Sequence, residues 1–540
     1  MKKLGWILLA ATLAAQAQVT SAQVTSEQGT SVPVTTETLT KAQQDPNSWL
    51  SYGKNYFGWR YSPLTQVTTS NVAQLAPAWI LPTGVPGNNE TTPLVNGDMM
   101  YLTGPSNNAW AVDLLTGKKV WSYSDYVPSG LGLCCGTVNR GFAMLGDRLF
   151  KVNIQSTLVS LEAKSGKVLW ETTIDDYKKG YSNTAAPLIV KDMVVVGTAG
   201  AEWGIRGYID AYDAATGKRR WRFYTVPTAG EPKMETWGGS SYKTGGGSTW
   251  ITGTYDPELN LIYWGIGNPG PDMDGSVRPG DNLYTCAIVA IDADTGKLKW
   301  YFQMTPHDVH DWDAVADPVL VEATVNGAKV KAVAQANRNG FYYLLDRTTG
   351  KFLTAKAYTK VNWADGIGAD GRPILIANRE PTPEGNMVCP GLGGGHNWSA
   401  TAYSPKTGLY YFSATDGCQM FNVEKMEYVE GKQYQAGDAV PVPKEPNSGS
   451  VNAVDPSTGT LKWKHPFMSS PSGLLATAGG LVFTGDSDGY MMALDAATGK
   501  VLWHFQTGAA IRSPAISYTF QGKQYIATVS GQNLLAFKLP

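Results

Sequence analysis

Two cysteines, Cys134 and Cys135, stand side by side in a chain of 540 residues that has only five. A disulfide between them closes a small ring across one peptide bond. Adjacent Cα atoms lie about 3.8 Å apart across a trans peptide, inside the roughly 4.4 Å lower edge of ordinary disulfides. Such a ring is stiff, a poor staple for a fold but a usable flat surface for a ligand. Adjacency alone leaves the other readings open, in which the two thiols pair elsewhere or stay reduced. The pair lies in GLCCGTVNRG (132–141), one of four segments with dense polar chemistry. The others are GAEWGIRG (200–207), GIGNPGPDMDG (265–275) and TPHDVHDWDA (305–314). A single Asp or Glu in such a segment is more often a turn cap or a solvated side chain than a ligand. His307 and His310 are three positions apart with no Cys or His partner at zinc spacing, so they read as structural supports.

These segments must be held by something repetitive. The pattern Ala-x-Asp-x-x-Thr-Gly-Lys-x-x-Trp recurs as AVDLLTGKKVW (111–121), SLEAKSGKVLW (160–170), AYDAATGKRRW (211–221) and AIDADTGKLKW (290–300). It returns as AVDPSTGTLKW (453–463) and ALDAATGKVLW (493–503), with weaker relatives at 254–264, 344–354 and 402–412. Each copy predicts a hairpin: a strand ending in Asp, a turn whose Gly supplies positive φ, and a strand ending in Trp. Short strands repeating over roughly 40 to 60 residues are the signature of a β-propeller, whose blades bury their faces only against neighbours. Six clear and three weaker copies bracket the blade number at seven to nine. The Trp is the side chain that docks one blade on the next. The last strands, 525–529 and 534–538, are candidates to pair with strands near the N-terminus, and 425–449 reads as a long surface loop between blades.

The chain opens with Met1-Lys2-Lys3, an apolar run from Leu4 to Ala15, and Ala15-Gln16-Ala17. This predicts a secretory leader over 1–17, followed by a polar, flexible or wrapping segment over 18–48. Roughly 12 apolar residues fall short of the ~20 that cross a bilayer, so no membrane span is expected. Exported chains keep their disulfides. Lys and Arg number 44 against 45 Asp and Glu, and a net charge of −1 argues against nucleic acid or an anionic membrane as partner. Glycine at 60 residues, with 18 Trp and 27 Tyr, fits a β-rich interior with many turns. There is no Cys-x-x-Cys-His, so no covalent c-type haem is expected in this chain.

Together, the docking repeats and the four polar segments resemble the quinoprotein alcohol dehydrogenases, the family of the methanol dehydrogenase large subunit. The resemblance runs from about Leu50 to the C-terminus. It implies an all-β fold, an eight-bladed β-propeller with tryptophan-docking motifs over 49–540, with pyrroloquinoline quinone (PQQ) and a metal ion at its centre. It assigns Glu202 and Asn268 as metal ligands and Asp311 as the catalytic base beside the metal; hard oxygen donors of this kind suit a Ca²⁺-like ion. Asp313 follows the pattern of the lanthanide-dependent members, where calcium-dependent members usually have a small or uncharged residue. A lanthanide is therefore expected, with Ca²⁺ as the alternative.

The same resemblance places the quinone between a Cys134–Cys135 disulfide and the indole of Trp250. It gives Arg140, Thr184 and the backbone amides around Gly200 and Ala201 to the cofactor's carboxylates. Glu90, Ser248 and Asn397 are further contact positions, and Arg338 stands beside the reactive quinone oxygens. Cys389 and Cys418 match a second disulfide, which leaves Cys286 as a free thiol. The implied function is oxidation of a small primary alcohol to an aldehyde in the periplasm by hydride transfer to PQQ. A soluble cytochrome c is the implied electron acceptor, and a homodimer is one known assembly. A quinoprotein for sugars or polyols and a non-catalytic propeller scaffold are the alternatives; the scaffold has no use for the Cys pair, Trp250 or the acidic cluster. Three departures reshape the alcohol pocket: His310 where the family often has Trp, Ala199 where it has Ser, and Pro471 or a neighbour where it has Trp.

Overall fold

The repeated turn explains its own sequence. In the first copy the Asp113 carboxylate accepts from the backbone N–H of Thr116 at 2.8 Å and from its hydroxyl at 3.0 Å. Asp213 with Thr216, Asp292 with Thr295 and Asp495 with Thr498 repeat both contacts. A short carboxylate that hydrogen-bonds its own backbone three residues on is a strong turn former. The flanking strands, such as Ala109–Asp113 and Lys119–Tyr123, are thereby fixed in register. They run two residues beyond Trp121 rather than ending at it, so the indole sits mid-strand, facing the next sheet.

The computed structural model describes residues 31–443, 445 and 447–540. The expected leader over 1–17 lies outside the described residues. Among them are eight sheets of four or five strands, together with one two-stranded and one three-stranded sheet. Strand pairing is antiparallel except where Tyr61–Ser62 joins Leu475–Thr477 in parallel. Inner strands such as Leu261–Gly265 and Leu481–Gly485 are buried on both faces. Outer strands such as Lys119–Tyr123 alternate between exposed and buried residues, as half-covered edges do.

Successive sheets are tied by one recurring contact. The Trp121 indole N–H donates to the Ala163 carbonyl of the next sheet at 2.9 Å, and Trp170 to Ala214 at 3.3 Å. Trp221 donates to Ala293, Trp300 to Arg347, Trp463 to Ala496 and Trp503 to Leu75. Where 344–354 lacks the Trp, the Tyr342 hydroxyl donates to the Pro456 carbonyl at 2.7 Å. Except for Trp503, each of these indoles rests on the turn glycine of the following sheet. A Cβ on Gly166, whose φ is +71°, would stand 2.7 Å from the Trp121 ring, and Gly217, Gly296, Gly350 and Gly499 are equally close to theirs.

One sheet carries no copy of the motif because its strands come from both ends of the chain. Ile516–Phe520, Lys523–Ser530 and Asn533–Lys538 are completed by Ala76–Pro82, which pairs antiparallel with Asn533–Lys538. Trp79 of that strand lies against Gly117 of the first sheet. The weaker copies at 254–264 and 402–412 are first-to-second strand hairpins rather than docking hairpins. The segment 425–449, expected as a loop, contains the strand Gly437–Pro441, which pairs with Gln419–Val423 and through it with Asn386–Val388. Its partners are distant in sequence and the strand is short, so no local periodicity announces it. The Cys389–Cys418 disulfide joins the ends of two of these strands, and Cys286 is buried and free. Among the described residues no helix is long and apolar enough to cross a membrane.

In an antiparallel four-stranded sheet the hairpins between strands one and two, and three and four, lie at one end. The two-to-three connections and the links between sheets lie at the other. Glu202, Asn268 and Arg338 are in two-to-three connections; Glu90, Cys134, Cys135, Arg140, Thr184, Ser248, Trp250, Asp311, Asp313 and Asn397 are in inter-sheet links. The topology therefore delivers all of them to the edge opposite the docking turns.

Gly166→Ala and Gly408→Ala separate docking from backbone strain, because φ is +71° and +69° but the Gly408 position faces no atom within 4 Å. Gly166→Ala is expected to destabilise by roughly 1–3 kcal/mol more, read as a lower unfolding midpoint. Equal midpoints would show that the indole contact is dispensable.

Candidate active site

Asp311 and Asp313 flank Trp312 in the link between two sheets, outside any strand. Trp312 is fully buried; it donates to the Gly391 carbonyl at 3.2 Å and stacks on His310 at 4.4 Å between ring centroids. His310 accepts no charge there: burial pushes its pKa down to about 4, and its ring nitrogen meets the Arg379 carbonyl at 2.8 Å. With the indole anchored on one side, both carboxylates are turned to the other. Asp311 itself takes φ +57°, a left-handed conformation that Asp tolerates better than most residues.

Arg338 joins the two acids. Its guanidinium lies 3.1 Å from Asp311 and 2.8 Å from Asp313, and it also donates to the Leu392 carbonyl at 2.6 Å. Asp313 is buried rather than solvated. It accepts from the Trp250 indole at 2.9 Å and from the Asn268 backbone N–H at 2.6 Å. Gly267 must be glycine for this approach, since a Cβ there would stand 2.5 Å from the Ser248 hydroxyl and closer still to Asp313. Glu202 comes from the short 3₁₀ turn Ala201–Trp203, set between left-handed Gly200 and Gly204.

The walls converge on a cavity of about 340 Å³. Every site residue expected from sequence lines it except Ala201 and Asn268. Those two sit buried behind the wall, and the Asn268 side-chain amide donates to Asp272 at 2.8 Å. Cys134 and Cys135 are disulfide-bonded with Cα atoms 3.8 Å apart, and they are exposed at the cavity. Arg140 is fixed by Glu90 at 2.6 Å, and its guanidinium lies 5.0 Å from the Trp250 ring centre. The cavity thus has a flat sulfur surface, an indole, two guanidinium groups and several acids.

Sequence reasoning did not single out Asp272 and Asp308, although both stand in the polar segments. Asp308 accepts from the Trp312 backbone N–H at 3.0 Å, and the buried Arg278 donates to the main-chain carbonyls of both, at 3.1 Å for Asp272 and 2.6 Å for Asp308. Trp203, Leu392 and Trp398 also line the cavity, as does Gln435. Nothing local marks Gln435. It arrives with the segment after Tyr434, whose N–H donates to the Glu202 carbonyl at 2.6 Å.

Five carboxylates (Glu202, Asp272, Asp308, Asp311 and Asp313) face two guanidinium groups, Arg278 and Arg338, an excess of three negative charges if all ionise. Burial raises Asp311 well above the aspartate range; Arg338 opposes this, while Asp313, Glu202 and Asp308 add to it. Asp272 is raised by burial and by Asp311, Glu202 and Asp313. Burial also lifts Glu202 to about 7 and Asp308 to about 6. Burial works against the Arg338 cation, but Asp311, Asp313 and Asp308 outweigh it and strengthen its hold on the proton.

The residues fit the expected groups. One oxygen each of Asp272 and Asp308 is buried without a hydrogen-bond partner, as are the Nε atoms of Arg140 and Arg338 and the Asn397 carbonyl oxygen. Unpartnered acceptors amid excess acid suit a multivalent cation, and unpartnered guanidinium N–H groups suit an anionic ligand.

Three comparisons with known proteins agree with this chemistry. The family model described as "PQQ: Glucose/ethanol/alcohol dehydrogenase, beta-propeller domain" matches residues 49–368 and 377–526. The quinoprotein alcohol dehydrogenase PedH of Pseudomonas putida is 37% identical over 527 residues, which cover 92% of this chain and 88% of the relative. A lanthanide-dependent methanol dehydrogenase of Methylorubrum extorquens is 37% identical over 536 residues, 92% of this chain and 89% of the relative. A solved europium-containing methanol dehydrogenase has TM-score 0.89 and 33% identity, covering 93% of this chain and 100% of the other.

The raised Glu202 pKa carries a signed prediction for the metal-free protein. Between its ordinary value of 4.5 and about 7 the folded state holds a proton that the unfolded state has lost. Stability therefore falls as pH rises through this window, by up to roughly 3 kcal/mol for this group. Denaturant titrations of metal-free protein are expected to show that slope, and Glu202→Gln to remove this group's share of it, leaving the part that the raised Asp308 contributes.

Proposed function

The chain belongs to the family of PQQ-dependent alcohol dehydrogenases, and from that premise we propose that it oxidises a small primary alcohol to an aldehyde. The observation that carries this reading is the buried Asp311–Arg338 pair, set in one cavity with the vicinal disulfide and the Trp250 indole. We read the eight large sheets as eight blades of one closed ring over 49–540. The support is the cycle of docking contacts, which passes from each sheet to the next and returns through Trp503 and Trp79 to the first.

Bound PQQ supplies the hydride acceptor for the carbinol carbon, and a bound metal ion supplies the Lewis acid that polarises its carbonyl. Asp311 takes the hydroxyl proton of the alcohol on a carboxylate oxygen. Arg338 keeps that carboxylate aimed and places a fixed positive charge where negative charge grows. Cys134–Cys135 and Trp250 would hold a planar group between them. Arg140, Thr184, Gly200, Ala201, Glu90, Ser248 and Asn397 would fix its polar rim. Glu202, Asn268, Asp311 and Asp313 would hold the metal. The inward-facing Asp313, one carboxylate beyond Glu202 and Asp311, favours a trivalent lanthanide, with Ca²⁺ as the alternative. The periplasm is the proposed compartment, consistent with two disulfides, and a soluble cytochrome c the proposed electron acceptor.

Asp311→Asn is expected to keep the fold, checked by circular dichroism, and to lower dye-linked alcohol oxidation by about 10² or more. Substantial turnover in this variant would reject the base assignment. In reconstitution of metal-free protein with PQQ, lanthanum is expected to restore more activity than calcium; full activity with calcium alone, and none added by lanthanum, would reject the trivalent ion.

A further inference from the structure

Arg278 is a buried guanidinium that the proposed reaction does not use. It follows the one-turn helix Gly275–Val277 and is fully buried behind the cavity wall. Its hydrogen bonds go to four acceptors, none of them a carboxylate. Nε donates to the Pro271 carbonyl at 3.0 Å and Nη1 to the Asn282 side-chain oxygen at 2.9 Å. Nη2 donates to the carbonyls of Asp272 at 3.1 Å and Asp308 at 2.6 Å. The Asn282 amide donates in return to the Arg278 carbonyl at 2.9 Å, which holds the arginine at its own backbone.

The gripped carbonyls belong to the two loops that carry Asn268, Asp311 and Asp313. In the first loop, Asp272 accepts from the Asn268 side-chain amide at 2.8 Å, so the backbone held by Arg278 also sets the plane of that amide. In the second, the Asp308 carboxylate accepts from the Trp312 backbone N–H at 3.0 Å and closes the turn that contains Asp311. The loops also meet directly, where the Asn268 backbone N–H donates to Asp313 at 2.6 Å. Arg278 is a second tie between them, made from behind.

Charge does not explain this placement. A fixed cation whose field reaches Asp272 and Asp308 opposes a metal ion drawn to the same acids, and removing it from water is costly. Geometry does explain it: a planar guanidinium spans two backbones in one rigid fork, where a lysine offers a single flexible point. We propose that Arg278 is a positioning residue of the metal site, which holds both ligand loops so that Asn268 keeps a fixed spacing from Asp311 and Asp313. This rests on the metal assignments proposed above.

The test reads metal retention rather than turnover. Full-length protein reconstituted with PQQ and terbium is dialysed against graded chelator, and the terbium kept per chain is measured by elemental analysis. Circular dichroism checks that each variant is folded. Arg278→Lys keeps the charge and loses the fork, and it is expected to lower terbium affinity about tenfold or more. Asn282→Gly releases the outer anchor without altering either ligand loop, and glycine suits the φ of +58° there. It is expected to give a smaller loss, and it decides the matter if Arg278→Lys does not fold. Gly166→Ala weakens a docking turn at the far end and is expected to retain terbium as the wild type does, which separates loss of the clamp from instability alone. Wild-type affinity in Arg278→Lys, or in Asn282→Gly where the lysine variant does not fold, overturns the proposal, as does an equal loss in Gly166→Ala. If the wild type itself retains no terbium, the metal assignments fall and take this inference with them; if it retains terbium and the clamp variants match it, only this inference falls.

Discussion

Negative charge kept away from water is the condition around which this molecule is organised. Glu202, Asp311 and Asp313 line the cavity, Asp272 and Asp308 are buried near them, and two buried arginines cannot neutralise all five if they ionise. Removing carboxylates from water costs several kcal/mol each, and a buried ion pair rarely repays that in stability. The cluster is therefore held by the scaffold and does not hold the scaffold together. A bound multivalent cation changes the sign of the local field and turns a liability into a grip.

The scaffold answers with a division of labour between its two ends. At the outer turns, Asp113, Asp213, Asp292 and Asp495 repeat the same pair of hydrogen bonds, and the Trp121, Trp170, Trp221, Trp300 and Trp463 indoles lie on glycines with positive φ. Nothing there varies with chemistry. At the other end the connections obey no repeat and supply acids, arginines, an indole and sulfur. Burial of the inner strands on both faces keeps these connections in place, because a sheet packed against neighbours on both sides leaves its loops little freedom.

What could be read from sequence follows the same division. The docking hairpins were legible because a local turn and a tryptophan recur at fixed spacing. The sheet built from Ile516–Lys538 and Ala76–Pro82 had no motif to count, and hairpins at 254–264 and 402–412 imitated the motif at a different place in their sheets. The expected site residues lie around one cavity because they came from segments that break the repeat, while their ligand roles rest on resemblance. Asp272 and Asp308 were present in those segments but looked like turn acids, since their burial is a tertiary fact. Gln435 had no local signal at all.

The pairing of Ala76–Pro82 with Asn533–Lys538 has a temporal consequence. A polypeptide that emerges N-terminus first must keep this early strand waiting until the far later Asn533–Lys538 has been made. Glu90 follows directly from that waiting strand and contacts Arg140. The Glu90 side of the cavity wall therefore settles only once Asn533–Lys538 is in place, so the order of chain synthesis sets the order in which the wall closes.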